Sequence, residues 1–325
     1  MTRPIPDEVM DAARARGRAR EARDFAEADR LRAQIEAAGW KIVDRGSAFS
    51  LSRATPPDVE ETGRIRYGAS RNVPSRLDDA PVGVASVVVV ATDWPEDLER
   101  TLSSLREHGP DATQVIIAAD DPSPEQAAAL DALEVLESGR PGVATEVVWT
   151  SQRLGQAAAL NAAIRRAEAP VVVVLDSSVE LTGDAIGPLA GALPDPSIAI
   201  VGPWGLVSRD LRQFEDGPTG DVDAVAGYAM AFRRDDYRDR GPLDERFRFY
   251  RNLDIWWSLV LRDQGDDRPP RRALALDALP FVRHEHRGWA SLPESDRNRQ
   301  SKRNFYRIID RFGSRRDLLV GPAER

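Results

Sequence analysis

Pro170-Val-Val-Val-Val-Leu-Asp-Ser-Ser178 begins with an unbroken apolar run and stops at a carboxylate, Asp176. The run is too short to cross a bilayer, and a strand buried on both faces of a parallel sheet has this composition. Back up the chain, residues 84–90, 114–119 and 145–149 read as three further strands, and residues 95–107, 123–139 and 154–167 as the helices that follow them. Strand and helix in alternation imply parallel pairing with right-handed crossovers, hence an α/β, Rossmann-like central sheet flanked by helices. Such sheets bind ligands beyond the carboxyl ends of their strands. Those ends carry Thr92 and Asp93, Asp120 and Asp121, Ser151 to Arg153, and Asp176 to Ser178. Most are followed by a helix, whose free amides and dipole favour an anion. Taken singly, each Asp or Ser is more often a helix cap; their convergence on one sheet edge points to a binding site.

At 325 residues the chain has room for one large α/β domain with an appendage. A formal net charge of -8 excludes a role coating nucleic acid, which needs an excess of cations. The absence of cysteine excludes disulfides, thiolate metal sites and cysteine nucleophiles. Residues 1–9 lack the apolar segment of a secretory signal, so a cytoplasmic location is expected, compatible with peripheral contact with a membrane. Residues 6–38 have the periodicity of a helical hairpin broken near Asp24 and Phe25, and Gly39 ends it. Residues 40–43 and 48–51 read as a β-hairpin around Asp44-Arg-Gly46. The expected organisation is a helical-hairpin and β-hairpin module over 1–54, a linker over 55–81 and the α/β domain over 82–325 with a C-terminal helix.

Four motifs follow one another in the second domain: Val87-Val-Val-Val-Ala-Thr-Asp-Trp-Pro95; Ile116-Ile-Ala-Ala-Asp-Asp-Pro-Ser123; Arg153-Leu-Gly-Gln-Ala-Ala-Ala-Leu-Asn161; and Val172-Val-Val-Leu-Asp-Ser-Ser-Val-Glu180. Together they resemble glycosyltransferase family 2. The resemblance implies a GT-A fold and an inverting transfer of sugar from a nucleoside diphosphate to an acceptor hydroxyl. It places Thr92, Asp120, Arg153, Gly155, Asp176 and Ser178 on the donor, with Asp120 at the base and Asp176 at ribose or metal. Ser178 stands where the family has the final carboxylate of Asp-x-Asp, which weakens the expected manganese or magnesium site.

Downstream, Val222-Asp-Ala-Val-Ala-Gly-Tyr228 and Gly241-Pro-Leu-Asp-Glu-Arg-Phe247 continue the resemblance, with Gly227, Asp244 and Trp256 expected at the acceptor. In Phe249-Tyr-Arg-Asn-Leu-Asp-Ile-Trp-Trp257, Arg251 and Asn252 replace an acidic pair, leaving Asp254 as the expected base; Asp244 or Glu245 is the alternative. At least one of Trp256 and Trp257 reads as core. Extended backbone over Val282-Arg-His-Glu-His286 puts His284 and His286 on one side, as a metal or diphosphate site requires. Either satisfies the motif, and His284 is taken for donor and metal.

Glu21-Ala-Arg-Asp-Phe-Ala-Glu-Ala-Asp-Arg-Leu-Arg-Ala-Gln-Ile35, followed by Gly39 and Trp40, resembles the C-terminal appendage of cysteinyl-tRNA synthetases. Acids nearly balance its arginines, so protein docking or oligomerisation is expected in preference to RNA binding. Two alternatives to the enzyme remain: a catalytically weak or inactive sugar-nucleotide-binding protein, suggested by Ser178 and Asn252, and an RNA- or protein-binding adaptor acting through this hairpin.

Overall fold

The computed structural model describes residues 5–45, 48–61, 63–137, 144–265 and 267–321. The expected turn at Gly46 and the end of a helix at Gly139 lie outside them. The chain divides into two compact units, Met1–Pro57 and Asp58–Arg325. Among the described residues no helix is long and apolar enough to cross a membrane.

In the smaller unit, helices Asp7–Glu21 and Phe25–Ala37 precede antiparallel strands Trp40–Arg45 and Ala48–Arg53. The Asp24 side chain caps the second helix by accepting from the Glu27 amide. Ala13, Leu31, Ile35, Trp40 and Ile42 form its core. Arg16, 7% exposed, forks onto Asp44 at 2.8 and 3.1 Å, and Arg20 reaches the same carboxylate. Two arginines of the first helix are therefore already engaged.

The larger unit is built on a ten-stranded sheet. Its centre is parallel: strand Ala85–Ala91 lies between Gln114–Ala119 and Val171–Leu175, and Ala144–Thr150 pairs beyond Gln114–Ala119. Successive residues feed opposite faces. Val87, Val89, Ile117 and Val173 pack under one layer of helices, and Val88, Ile116, Val172 and Val174 under the other, which is why these strands read as continuous apolar runs. Strand Ala229–Arg233 pairs antiparallel with Val171–Leu175, then Ile198–Gly202, Arg272–Ala275 and Gly220–Val222 complete that side.

From Asp58 the stretch expected as linker is part of this unit. Strands Val59–Glu61 and Arg64–Tyr67 add to the far edge of the sheet beside Ala144–Thr150, and Val73 and Leu77 are buried in the core. The edge escapes an apolar pattern because Arg64 and Arg66 lie over the Trp149 ring, at 4.1 and 5.0 Å, so arginine does the packing.

Asn161, 1% exposed, fastens two distant motifs together. Its amide nitrogen donates to the Leu243 carbonyl at 2.9 Å, and its oxygen accepts from the Leu243 amide at 3.0 Å and the Tyr237 hydroxyl at 2.9 Å. Asn161→Ala leaves these groups buried without partners, and urea unfolding should show a loss of about 2–3 kcal/mol. A loss under about 0.5 kcal/mol, the scale of ordinary surface changes, would mean the 241–247 turn holds itself.

Candidate active site

A crevice opens where the chain leaves the central strand in both directions, between the carboxyl ends of Ala85–Ala91 and Val171–Leu175, at the switch point of the sheet. The cavity there, about 270 Å³, is lined among others by Thr92, Asp120, Arg153, Gly155, Asp176 and Ser178, so the structure gathers six of the seven residues expected at a donor. Asp120 is 2% exposed and accepts from the amides of Leu154 and Gly155 at 2.6 and 3.0 Å. Burial pushes its carboxyl above the ordinary range, and those amides oppose the shift. Gly155 has φ +92°, and a Cβ there would stand 2.9 Å from Cα of Arg248. The Gln156 and Ala157 amides bond the carbonyls of Arg248 and Phe247, so the glycine admits the 241–248 segment against the helix start. The Arg153 guanidinium donates to the Asp121 carbonyl at 3.0 Å and lies 3.7 Å from Asp93.

Asp176 accepts from both the amide and the hydroxyl of Ser178, at 2.9 and 2.5 Å, and faces His286 Nε2 at 3.2 Å. Burial works against its charge, but the His286 and Ser178 bonds outweigh it and hold the carboxyl below its usual range. His286 replaces the expected His284. The chain leaves extended geometry after Arg283, and His286 becomes a helix cap whose Nδ1 accepts from the Trp289 amide at 3.0 Å. Its Nε2 then carries the hydrogen toward Asp176. His284 Nε2 lies instead 2.7 Å from Glu180, outside the crevice lining. The Tyr250 ring stacks on His286, centroids 4.4 Å apart, and Arg287 lies 3.3 Å from Asp97 on the crevice wall. Spacing in sequence gave no way to choose between the histidines; Gly288, packed against the His286 ring, is the local cue.

For a divalent ion the donor set is sparse. No group of three His, Asp or Glu able to hold one occurs among the described residues, and the His286 nitrogen facing Asp176 bears a hydrogen. Asp176 fits as a carboxylate ligand to an ion that draws its remaining oxygens from a diphosphate.

Gly227 connects this crevice to a second carboxylate. The Asp176 amide donates to the Tyr228 carbonyl at 2.9 Å, and the preceding residue's amide, that of Gly227, donates to Asp254 Oδ2 at 2.9 Å. A Cβ on Gly227 would stand 3.1 Å from Asp254 Cβ. Burial pushes the Asp254 carboxyl up, against the amides of Gly227 and Ile255. A cavity of about 60 Å³ is lined by Asp176, His286, Gly227 and Asp254 together, and Asp254 also lines a wider cleft of about 790 Å³. Asn252 begins helix Leu253–Arg262 in the left-handed region, φ 69°, which asparagine tolerates, and its amide donates to the Ser301 carbonyl at 3.0 Å.

Two residues expected at the acceptor lie elsewhere. Trp256 is 5% exposed and packs on Phe247 and Phe312, so with Trp257 it belongs to the core. Trp257 packs on Phe232 of the sheet and on Tyr237, partners that a tryptophan pair in sequence cannot disclose. Asp244 lines none of these cavities; its carboxylate is forked by Arg246 as part of the turn.

A parallel sheet with an acid-lined crevice at its switch point, continued by an antiparallel strand that leads to a second carboxylate, is the GT-A glycosyltransferase architecture. Residues 86–253 match glycosyl transferase family 2, and the chain belongs to that family and is a glycosyltransferase. The fold is similar to a mannosyltransferase from Pyrobaculum calidifontis solved with GDP-Man and Mn2+ (TM-score 0.53, 19% identity, 74% of this chain and 67% of that one). It is also similar to GalNAc-T7 solved with UDP, GalNAc and Mn2+ (TM-score 0.57, 16% identity, 70% and 48%). At these identities the likeness is one of fold. A stretch of 50 residues is 48% identical to a cysteine–tRNA ligase from Opitutus terrae, covering 15% of this chain and 11% of that protein.

Gly155→Ala forces a positive φ and a backbone collision at once, and should lower unfolding free energy by about 2–4 kcal/mol in urea titrations. Unchanged stability would show that the 241–248 segment gives way freely.

Proposed function

We propose that the protein transfers a sugar from a nucleoside-diphosphate donor to an acceptor hydroxyl with inversion at the anomeric carbon, and that Asp254 is the base. The reading is carried by the small cavity in which Asp176 and His286 meet Gly227 and Asp254, sharing residues with both the donor crevice and the wider cleft. The donor lies along the switch-point crevice, its base at Asp120 through lone pairs the backbone leaves free, and its diphosphate near Arg153 and Arg287. The acceptor hydroxyl enters from the wide cleft. Asp254 takes its proton as the oxygen forms the new bond to the anomeric carbon; the opposite bond breaks, and its electron pair leaves with the nucleoside diphosphate. A carboxyl raised by burial suits a base working near neutral pH. His286 positions Asp176 by filling one of its lone pairs. A manganese or magnesium ion on Asp176 and the donor phosphates would supply Lewis-acid stabilisation of the leaving group. The tight Ser178 bond to Asp176 and the amide at position 252 favour one other reading, a protein that binds sugar nucleotides without turnover. The smaller unit is read as a docking or oligomerisation module, since Arg16 and Arg20 are committed to Asp44.

Nucleoside diphosphate release, with UDP- and GDP-sugars and with or without manganese, tests the assignment. Asp254→Asn should slow transfer by about 10²–10⁴-fold with nucleotide affinity retained. Wild-type binding without release would favour the non-catalytic reading, and a product that keeps the donor's anomeric configuration would exclude inversion. On the acid side, the rate should fall as pH drops through a pKa above the ordinary carboxylate range, because Asp254 must be unprotonated to act. His286→Ala should cost about tenfold in transfer, the scale of one hydrogen bond to a charged group, whereas His284→Ala should cost little. The reverse order would return the role to His284.

A further inference from the structure

The wide cleft beside Asp254 holds four cations: Arg212, Arg251, Arg283 and Lys302. Elsewhere many of the described arginines meet a carboxylate, as Arg16, Arg64, Arg166, Arg233, Arg271 and Arg315 do. These four form no ion pair among the described residues. Their charge is not a by-product of a basic chain, because Asp and Glu outnumber Lys and Arg by 53 to 45. Three of the four are held by rings instead: Arg283 lies 4.7 Å from the Tyr228 ring centre and 5.5 Å from that of Trp204, Arg251 lies over Trp289, and Lys302 lies over Tyr306. Aromatic support holds a cation in place without neutralising it. Against them the cleft sets Asp216 and Asp254, the latter already bonded to the Gly227 amide. A concave surface lined by uncompensated charge concentrates a ligand of opposite sign, and guanidinium groups match the oxygens of phosphate.

On the assumption that the donor and base are assigned correctly above, we propose that the acceptor is a hydroxyl compound bearing a phosphate group. The phosphate sits among Arg212, Arg283 and Lys302, and the hydroxyl faces Asp254. This chemistry occurs in a soluble sugar phosphate and in a phospholipid headgroup alike.

Calorimetry on the full chain, saturated with UDP or GDP, tests the proposal with matched pairs: glucose 6-phosphate against glucose, glycerol 3-phosphate against glycerol, and phosphatidylcholine vesicles carrying phosphatidylglycerol against the same vesicles carrying diacylglycerol. At least one phosphate-bearing hydroxyl compound should bind about tenfold or more tightly than its partner, and the double variant Arg212→Ala/Lys302→Ala should remove most of that preference while keeping nucleotide affinity. A response to the soluble phosphates or to phosphatidylglycerol identifies the source. Equal binding within every pair, no binding of any member, or a preference untouched by the double variant overturns the proposal. If neither UDP nor GDP binds the wild-type chain, the donor assignment fails and this inference fails with it; if one binds and the acceptor arms fail, this inference alone is lost.

Discussion

The antiparallel addition of Ala229–Arg233 to Val171–Leu175 is the constraint on which the site depends. The register sets Ala229 opposite Leu175, so Tyr228 and Gly227 are delivered to the point where the parallel strand ends at Asp176. Reversal of direction matters here. A further parallel strand would have brought another strand end and helix start to the crevice, making a wider anion site. The antiparallel strand arrives through backbone instead, and the Gly227 amide reaches Asp254 on a helix from a different part of the chain. Two carboxylates from distant segments are therefore held on one cavity by consecutive residues of a single strand end.

Burial then separates the carboxylates by environment. Asp120 and Asp254 are pushed up by desolvation that backbone amides only partly offset, while Asp176 is pulled down because a histidine and a serine join the amide that bonds it. Chemically similar side chains in neighbouring positions thus have different appetites for a proton.

The sequence was most informative where both faces of an element are buried. The central strands and the polar residues at their ends follow from apolar runs that no other environment tolerates, and Gly155 and Asn161 stand out because their backbone and amide needs are specific. What could not be read depends on partners distant along the chain. Residues 58–81 carry too little apolar pattern to announce a strand, since their packing uses arginine on Trp149. His284 and His286 are equivalent while the backbone is extended, and differ only once the chain turns into a cap. Trp256 and Asp244 fit an acceptor wall by position, but the direction in which a side chain leaves its helix or turn is set by tertiary packing.

Asn252 and Asn304 together describe how the far wall of the wide cleft is attached. Asn252 bonds the Ser301 carbonyl, and Asn304 bonds the carbonyls of Phe249 and Arg251, so helix Glu294–Phe312 is pinned by two amides to the loop that precedes Asp254. This wall of the wide cleft comes from the late part of the chain, whereas the crevice on the other side is woven from the central sheet. Replacement of exposed residues along that helix can therefore reshape the wide cleft without unpicking the sheet that forms the crevice.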